Sequence, residues 1–248
     1  MTPSLSSDLS AFRAHLYRCL GPRRDALYDL IDALSVVGPC PSLAHVSLTA
    51  PHRRGWGSLY AALRDGRIDV TALQAALARY PLAVGQPVYA VDVSVWPRCD
   101  AQTSPERGFY YHPSRHLEGI PVVKGWAYQW IAQLGFARDS WTAPVDVQRV
   151  PLAQTPTIAA IAQVRAQLTR LPPADRMPLF VFDAGYDQVA LAHQLSDAPV
   201  ALLVRLYSNR CFYGEPPAVT GTREGRPRQD GATFACDDST TWPKPTAT

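Results

Sequence analysis

The chain has 248 residues, of which 47% are hydrophobic and 18% are charged, so it has enough apolar material for a sizeable core and extensive disorder is excluded. The net charge of +3, from 24 Lys and Arg against 21 Asp and Glu, is too small to identify a nucleic-acid-binding protein by itself. The five cysteines are odd in number and include no Cys-x-x-Cys pair, which gives no support for a disulfide framework or a zinc ribbon.

Residues 1–82 are predicted to form a helical region. Apolar residues recur at helical spacing from Leu9 to Leu16 and again from Leu27 to Leu34. Asp69 is expected to cap a further helix that ends before Pro81. The sequence has no stretch that is long and apolar enough for a membrane span, so we expect a soluble protein of the reducing cytoplasm.

From Pro87 the period changes to two, which predicts strands over Val88–Trp96, Trp126–Gly135 and Val145–Val150 in an antiparallel meander. A helix over Ile158–Leu168, a strand over Leu179–Asp183, a helix over Gln188–Leu195 and a strand over Val200–Leu206 follow. This order predicts an α/β fold with a mixed sheet and helices on its faces. Residues 207–248 are rich in Gly, Pro and Arg without a lasting period, and we expect them to be extended or irregular.

Two aspartates lie in or at the end of apolar strands: Asp92 in the first and Asp183 in the fourth. A carboxylate in a strand core costs several kcal/mol unless a metal, a partner or a catalytic role compensates it. If the two strands pair side by side, the acids are neighbours and can hold divalent metal ions for phosphoryl transfer. The alternative is that each Asp only ends a strand or caps the following turn.

Other polar residues carry weaker signals. Asp187 is interpreted as the cap of the helix that follows it, whereas Asp100, Glu106 and Glu118 lie in polar turns. His112 and His116 have the spacing of a helical zinc pair, but a loop separates them. An aromatic cluster can stack on bases or fill the core, and the core is favoured. Its members are Phe109, Tyr110, Tyr111, Trp126, Tyr128 and Trp130.

Four segments resemble the DDE transposases of bacterial insertion sequences, and the resemblance covers nearly the whole chain. They are Tyr89-Ala-Val-Asp-Val-Ser-Val-Trp-Pro-Arg-Cys-Asp100, Gly125-Trp-Ala-Tyr-Gln-Trp130, Leu179-Phe-Val-Phe-Asp-Ala-Gly-Tyr-Asp187 and Leu203-Val-Arg-Leu206. The resemblance implies an RNase H-like core in which two Asp and one Glu hold two Mg²⁺ or Mn²⁺ ions for strand cleavage and transfer. Asp92 and Asp183 match the first and second acid.

The resemblance also implies partners. These are DNA at transposon ends and a second protomer in a homodimer or a mixed oligomer with intact transposase. The candidate DNA-binding residues in the sequence are Arg98, Lys124, Arg205 and Arg210. It implies a bacterial, nucleoid-associated protein without a membrane. The expected organisation is a helical region over residues 1–82, a catalytic core over 83–206 and the start of an inserted or irregular segment over 207–248.

The third acid of the family has no clear counterpart. Glu215 precedes two prolines and Glu224 lies among Gly and Arg, so neither is predicted on a helix that faces the aspartates. We therefore expect a C-terminally truncated transposase with impaired or absent catalysis. The alternatives are a non-catalytic protein that occupies transposon ends and a Mg²⁺-dependent phosphohydrolase, for which Asp183 and Asp187 have a suitable spacing.

Overall fold

The computed structural model describes residues 5–39, 42–80, 82, 86–112, 121–136, 141–173, 175–218, 225 and 228–244. The chain divides into two compact units by its contacts. The first comprises residues 1–87, 133–146 and 166–176, and the second comprises residues 88–132, 147–165 and 177–248. None of the helices in the described ranges has the length and apolarity that a membrane crossing requires.

The N-terminal region is helical, as predicted. Its helices are α1 (Leu5–Arg18), α2 (Arg24–Val36), α3 (Leu43–Val46), α4 (Trp56–Asp65) and α5 (Val70–Leu77). Asp69 caps α5, since its side chain accepts a hydrogen bond from the backbone N–H of Ala72. The predicted cap is therefore confirmed.

Two apolar clusters hold these helices together. Leu27 of α2 packs with Leu20 and Ala62, and Leu30 one turn later packs with Val46 and Leu59. Because residues three apart on a helix share a face, the spacing seen in the sequence places both leucines towards α4.

The main sheet has six strands among the described residues. They are β1 (Val88–Pro97), β2 (Gly108–Tyr111), β3 (Val122–Leu134), β4 (Thr142–Arg149), β5 (Leu179–Phe182) and β6 (Ala201–Val204). The order is β2-β3-β1-β5-β6, with β4 also paired to β3. The helices α6 (Pro156–Arg170) and α7 (Gln188–Gln194) precede and follow β5. The predicted α/β class with a mixed sheet is confirmed, and β2 is a short strand that the sequence did not predict.

Parallel pairing joins the three strands at the centre and edge of the sheet. Val88–Val91 of β1 pair in register with Leu179–Phe182, which pair in turn with Ala201–Val204. Phe180 and Phe182 are fully buried on one face, and Tyr89 stacks on Phe180 at 4.9 Å between ring centroids. This apolar packing fixes the register of β1 against β5.

The assignment of the aromatic cluster to the core is wrong for two of its members. The aromatic cluster was assigned to the core, but Phe109 and Tyr111 are 68% and 69% exposed because the described residues leave that face of the sheet open. In the segment after residue 207, which was expected to be extended or irregular, β7 (Cys211–Tyr213) and β8 (Thr233–Ala235) form a short two-stranded antiparallel sheet. The ring of Trp242 stacks on Phe234 of β8 at 5.8 Å and covers it. The predicted domain boundaries stay a prediction.

Candidate functional site

Asp92 and Asp183 occupy adjacent positions on neighbouring strands. The last register pair of β1 and β5 joins Val91 to Phe182, and each aspartate is the next residue of its strand. Residues opposite each other in a parallel pair point to the same face, and adjacent strands are about 4.8 Å apart. The sheet therefore brings both carboxylates together on the face opposite the buried Val91 and Phe182.

Both carboxylates are exposed, so the expectation of acids embedded in a strand core is wrong. Asp92 Oδ1 accepts a hydrogen bond from the N–H of Val93 at 2.7 Å, and Asp183 Oδ1 accepts one from Gly185 at 2.9 Å. The second bond caps the turn after β5, as the alternative interpretation of Asp183 proposed. Within the described residues neither acid forms a salt bridge with a cation, so two like charges stand side by side.

A buried pair of polar side chains supports the two acids from the other face. Gln129 Nε2 donates to the carbonyl oxygen of Asp92 at 3.0 Å and to the hydroxyl of Tyr186 at 2.7 Å. The Tyr186 hydroxyl lies 3.1 Å from Gln129 Oε1, to which it donates. Because Tyr186 ends the turn that begins at Asp183, this pair connects the backbone of one acid to the turn of the other.

The hydroxyl of Tyr186 remains protonated well into the alkaline range. Burial raises the pKa of Tyr186, the hydrogen bond with Gln129 opposes this, and the charges of Asp92 and Asp183 raise the pKa further. Both carboxylates thus act electrostatically on this one hydroxyl. Tyr186 thus acts as a neutral hydrogen-bonding group there.

Arg205 extends the row of charged residues to a third strand. Val204 of β6 pairs with Phe182, and the N–H of Arg205 donates to the Phe182 carbonyl at 3.0 Å, so Arg205 follows next to Asp183. Its side chain is exposed and forms no salt bridge with any described acid. An acid within β1, an acid directly after β5 and a cation directly after β6 therefore lie side by side.

Arg210 lies beyond Arg205 at an open cavity of about 450 Å³. Tyr186, Asp187 and Tyr207 also line this cavity, so it borders the turn that starts at Asp183. Arg210 is exposed. Its position suits a contact with a charged group that approaches the acids.

Arg98 and Lys124 lie elsewhere. Arg98 is six positions beyond Asp92, about 20 Å along an extended strand, and its N–H donates to the Lys124 carbonyl at 2.7 Å. Lys124 Nζ lies 5.3 Å from the centroid of the Phe109 ring. The structure therefore brings Arg205 close to the acids but not these two residues.

The remaining candidates have structural roles or lie outside the described residues. Asp187 caps α7 by accepting hydrogen bonds from Val189 and Ala190, which confirms the predicted cap and argues against its use in phosphohydrolase chemistry. Glu106 pairs with Arg149 at 3.4 Å. Glu215 is exposed and belongs to no helix. The other candidates, His116, Glu118 and Glu224, are not among the described residues.

Sequence reasoning missed Gln129 and Tyr186. The only signal for Gln129 was an amide on the inward face of β3, where Ala127 and Ile131 are also buried. Tyr186 was visible as an aromatic residue in the turn after Asp183. Their contact joins residues 57 positions apart, which local patterns do not reveal.

A mixed sheet that presents paired carboxylates on adjacent strands is an arrangement of metal-dependent phosphoryl-transfer proteins. The sequence matches the family of DDE superfamily endonucleases over residues 15–248, and the chain belongs to this family. This confirms the resemblance to DDE-type proteins and the RNase H-like type of fold. Members of the family are nucleases that act on DNA, and the superfamily uses divalent metal ions. A comparison with curated proteins finds no match.

Proposed function

We propose that the chain carries out transposase-type cleavage and transfer of DNA strands at insertion-sequence ends, with a divalent metal ion held by Asp92 and Asp183. The adjacency of these acids in the register of β1 and β5 carries the proposal. Membership of a DNA-cleaving family supplies the reaction type. The exposure of both side chains leaves them accessible to a DNA strand.

The two carboxylates fit a hard divalent cation. Mg²⁺ and Mn²⁺ prefer carboxylate oxygens, and neighbouring acids without a cationic partner attract such an ion. When bound, the ion would activate the attacking oxygen and stabilise the leaving oxygen at the scissile phosphate. Within the described ranges no group of three or more His, Cys, Asp or Glu side chains gathers, so the fit is to one ion held by two acids.

The surrounding residues position the acids and the DNA. Gln129 and Tyr186 hold the backbone at Asp92 and the turn after Asp183 in one arrangement. Arg205, next to Asp183, can bind a phosphate oxygen through its guanidinium group and orient the strand. Gln129 and Tyr186 therefore position the acids, and Arg205 binds the DNA.

We further propose that catalysis by this pair alone is impaired. Water and phosphate oxygens complete the shell of one Mg²⁺ ion that one or two carboxylates hold, but a two-ion mechanism needs enough carboxylates to hold both ions. Two aspartates supply four carboxylate oxygens at most. The third acid that the resemblance implies would complete the set.

Metal binding and DNA nicking test the proposal separately. Calorimetric titration with Mn²⁺ should give one ion per chain, and Asp92→Asn and Asp183→Asn should each weaken binding at least tenfold. Slow nicking of supercoiled plasmid should be lost in the same variants. Asp100→Asn is the matched control, because Asp100 is also exposed but lies in the turn after β1.

The outcomes distinguish the alternatives. Unchanged Mn²⁺ affinity in both variants contradicts the metal site. Tight binding of DNA without nicking in Mn²⁺ would instead favour a non-catalytic protein that occupies transposon ends. Rapid nicking would contradict only the proposed impairment.

A further inference from the structure

One face of the second unit carries a group of aromatic side chains beside Asp92. Along β1, Asp92, Ser94 and Trp96 alternate with more buried residues and therefore share a face. Trp130 Nε1 donates to Ser94 Oγ at 2.8 Å, and the rings of Trp96 and Tyr128 lie 6.0 Å apart. These contacts place the even-numbered aromatics of β3 on the same face as Asp92.

Two of the aromatic rings are largely exposed, whereas Tyr128 and Trp130 are half-buried. Trp96 is 58% exposed and Phe109 is 68% exposed, whereas aromatic side chains on a sheet are usually covered by the core. Trp130 is fixed by its bond to Ser94, and Trp96 and Tyr128 are inclined at 54° to each other. The aromatic face consists of Trp96, Phe109, Tyr128 and Trp130.

Two cations lie beside aromatic rings on this face of the sheet. Lys124 lies over the Phe109 ring and forms no salt bridge with a described acid. Arg149 lies 5.0 Å from the centroid of Trp126, but Glu106 already binds its guanidinium group. Among the described residues this face is therefore rich in rings and poor in cations, whereas duplex DNA is bound mainly by many phosphate contacts.

We propose that the aromatic face binds an unpaired DNA strand by stacking its bases and leads that strand to Asp92. Exposed rings stack only on bases whose faces are open, which a duplex does not offer. Along β1, Ser94, which binds Trp130 of β3, lies about 7 Å from Asp92, and Trp96 lies about 13 Å from it. The inference rests on the proposed function, because it makes the strand held on this face the substrate of the acid pair.

The test measures binding without metal. Fluorescence anisotropy in EDTA compares a labelled 15-nucleotide strand with its duplex, with tryptophan fluorescence as a second readout. We expect the wild-type chain to bind the single strand at least fivefold more tightly than the duplex. Trp96→Leu and Phe109→Leu should each weaken single-strand binding about fivefold or more, and Trp96→Phe should retain most of it.

The matched control is Trp141→Leu, because Trp141 is 69% exposed but lies in the first unit. Equal binding of strand and duplex, or equal loss in the Trp96 and Trp141 variants, overturns the inference. A third result also overturns it: Trp96→Leu changes the molecular mass measured by ultracentrifugation but leaves the DNA affinity unchanged. In that case the aromatic face would be a contact with a second copy of the chain. Metal binding by Asp92 and Asp183 is measured separately. The proposed metal site can therefore stand if the aromatic face does not bind single-stranded DNA, and the aromatic face can bind DNA if the acids bind no metal.

Discussion

Gln129 Nε2 donates both to the backbone carbonyl of Asp92 and to the hydroxyl of Tyr186, and that hydroxyl donates back to Gln129 Oε1. Gln129 is completely buried and Tyr186 is 3% exposed, so water does not replace these bonds. The two residues therefore determine where the first acid stands relative to the turn of the second.

Removal of one member of this pair should destabilise the fold. We expect Gln129→Leu to lower the free energy of unfolding by about 2–3 kcal/mol and Tyr186→Phe by about 1–2 kcal/mol, because each leaves a buried polar group without its partner. Urea denaturation measures both. The double variant should lose less than the sum of the two, and strict additivity in the double-mutant cycle would show that the pair is not coupled.

The raised pKa of Tyr186 predicts loss of stability in alkali. Burial favours the neutral hydroxyl in the folded state, so the unfolded chain releases this proton first, from about pH 10 upwards. The stabilisation is complete below pH 10 and declines as the pH rises towards the folded-state pKa. Tyr186→Phe should show a shallower decline of unfolding free energy above pH 10, and Tyr207→Phe, an exposed control, should not.

Neutralisation of one acid should have opposite effects with and without metal. Without metal, Asp92→Asn should raise the free energy of unfolding by up to about 1 kcal/mol at low ionic strength, because it removes a like-charge neighbour of Asp183. With Mn²⁺ at a hundred times the dissociation constant of the wild-type chain, the wild-type chain should gain about 2.7 kcal/mol and the variant, which binds at least tenfold more weakly, no more than about 1.4 kcal/mol. Thermal denaturation with and without Mn²⁺ checks both parts. A variant that is less stable without metal would contradict the repulsion.

Arg205 should contribute to DNA affinity as one phosphate contact. Arg205→Gln is expected to weaken binding and to reduce the slope of log affinity against log salt by about 1. Arg176→Gln is the control, since Arg176 is also exposed but precedes β5 at its amino end. Equal slopes for the wild-type chain and Arg205→Gln would remove Arg205 from the interface.

Gly125 should tolerate no side chain. A Cβ atom built on Gly125 overlaps the carbonyl oxygen of Trp96 on the neighbouring strand, so Gly125→Ala should cost about 2 kcal/mol or more. A Cβ atom at Gly57 in α4 would have no neighbouring atom within 4 Å. Gly57→Ala should therefore stabilise the helix by about 0.5–1 kcal/mol. Urea denaturation of the two variants provides the comparison.

Local features of the sequence were sufficient for much of the fold. The caps Asp69 and Asp187 were predicted because a short polar side chain before an apolar periodic run binds the free N–H groups of the next turn. The strand around Asp92 and the one ending at Asp183 were predicted from their β-branched and aromatic composition. The order of elements then indicated that the two acids are neighbours.

Features that depend on distant residues were not predicted. The alternation of β3 shows which of its aromatic residues share a face of the sheet, but it cannot show whether anything covers that face. For this reason the exposed Phe109 of the neighbouring β2 was assigned to the core. Likewise, β2 has only four residues, and its pairing with Val122–Gly125 defines it. The bond between Gln129 and Tyr186 forms only after the sheet has brought β3 and the turn after β5 together.

The two acids come from strands separated along the chain by β2, β3, β4 and α6. A pair of this kind does not exist until β1 and β5 have joined, so the affinity for a metal ion reports closure of the sheet rather than local structure. An ion bound by Asp92 and Asp183 would stabilise the pairing of β1 with β5. Amide hydrogen exchange in β5 should consequently slow when Mn²⁺ is added.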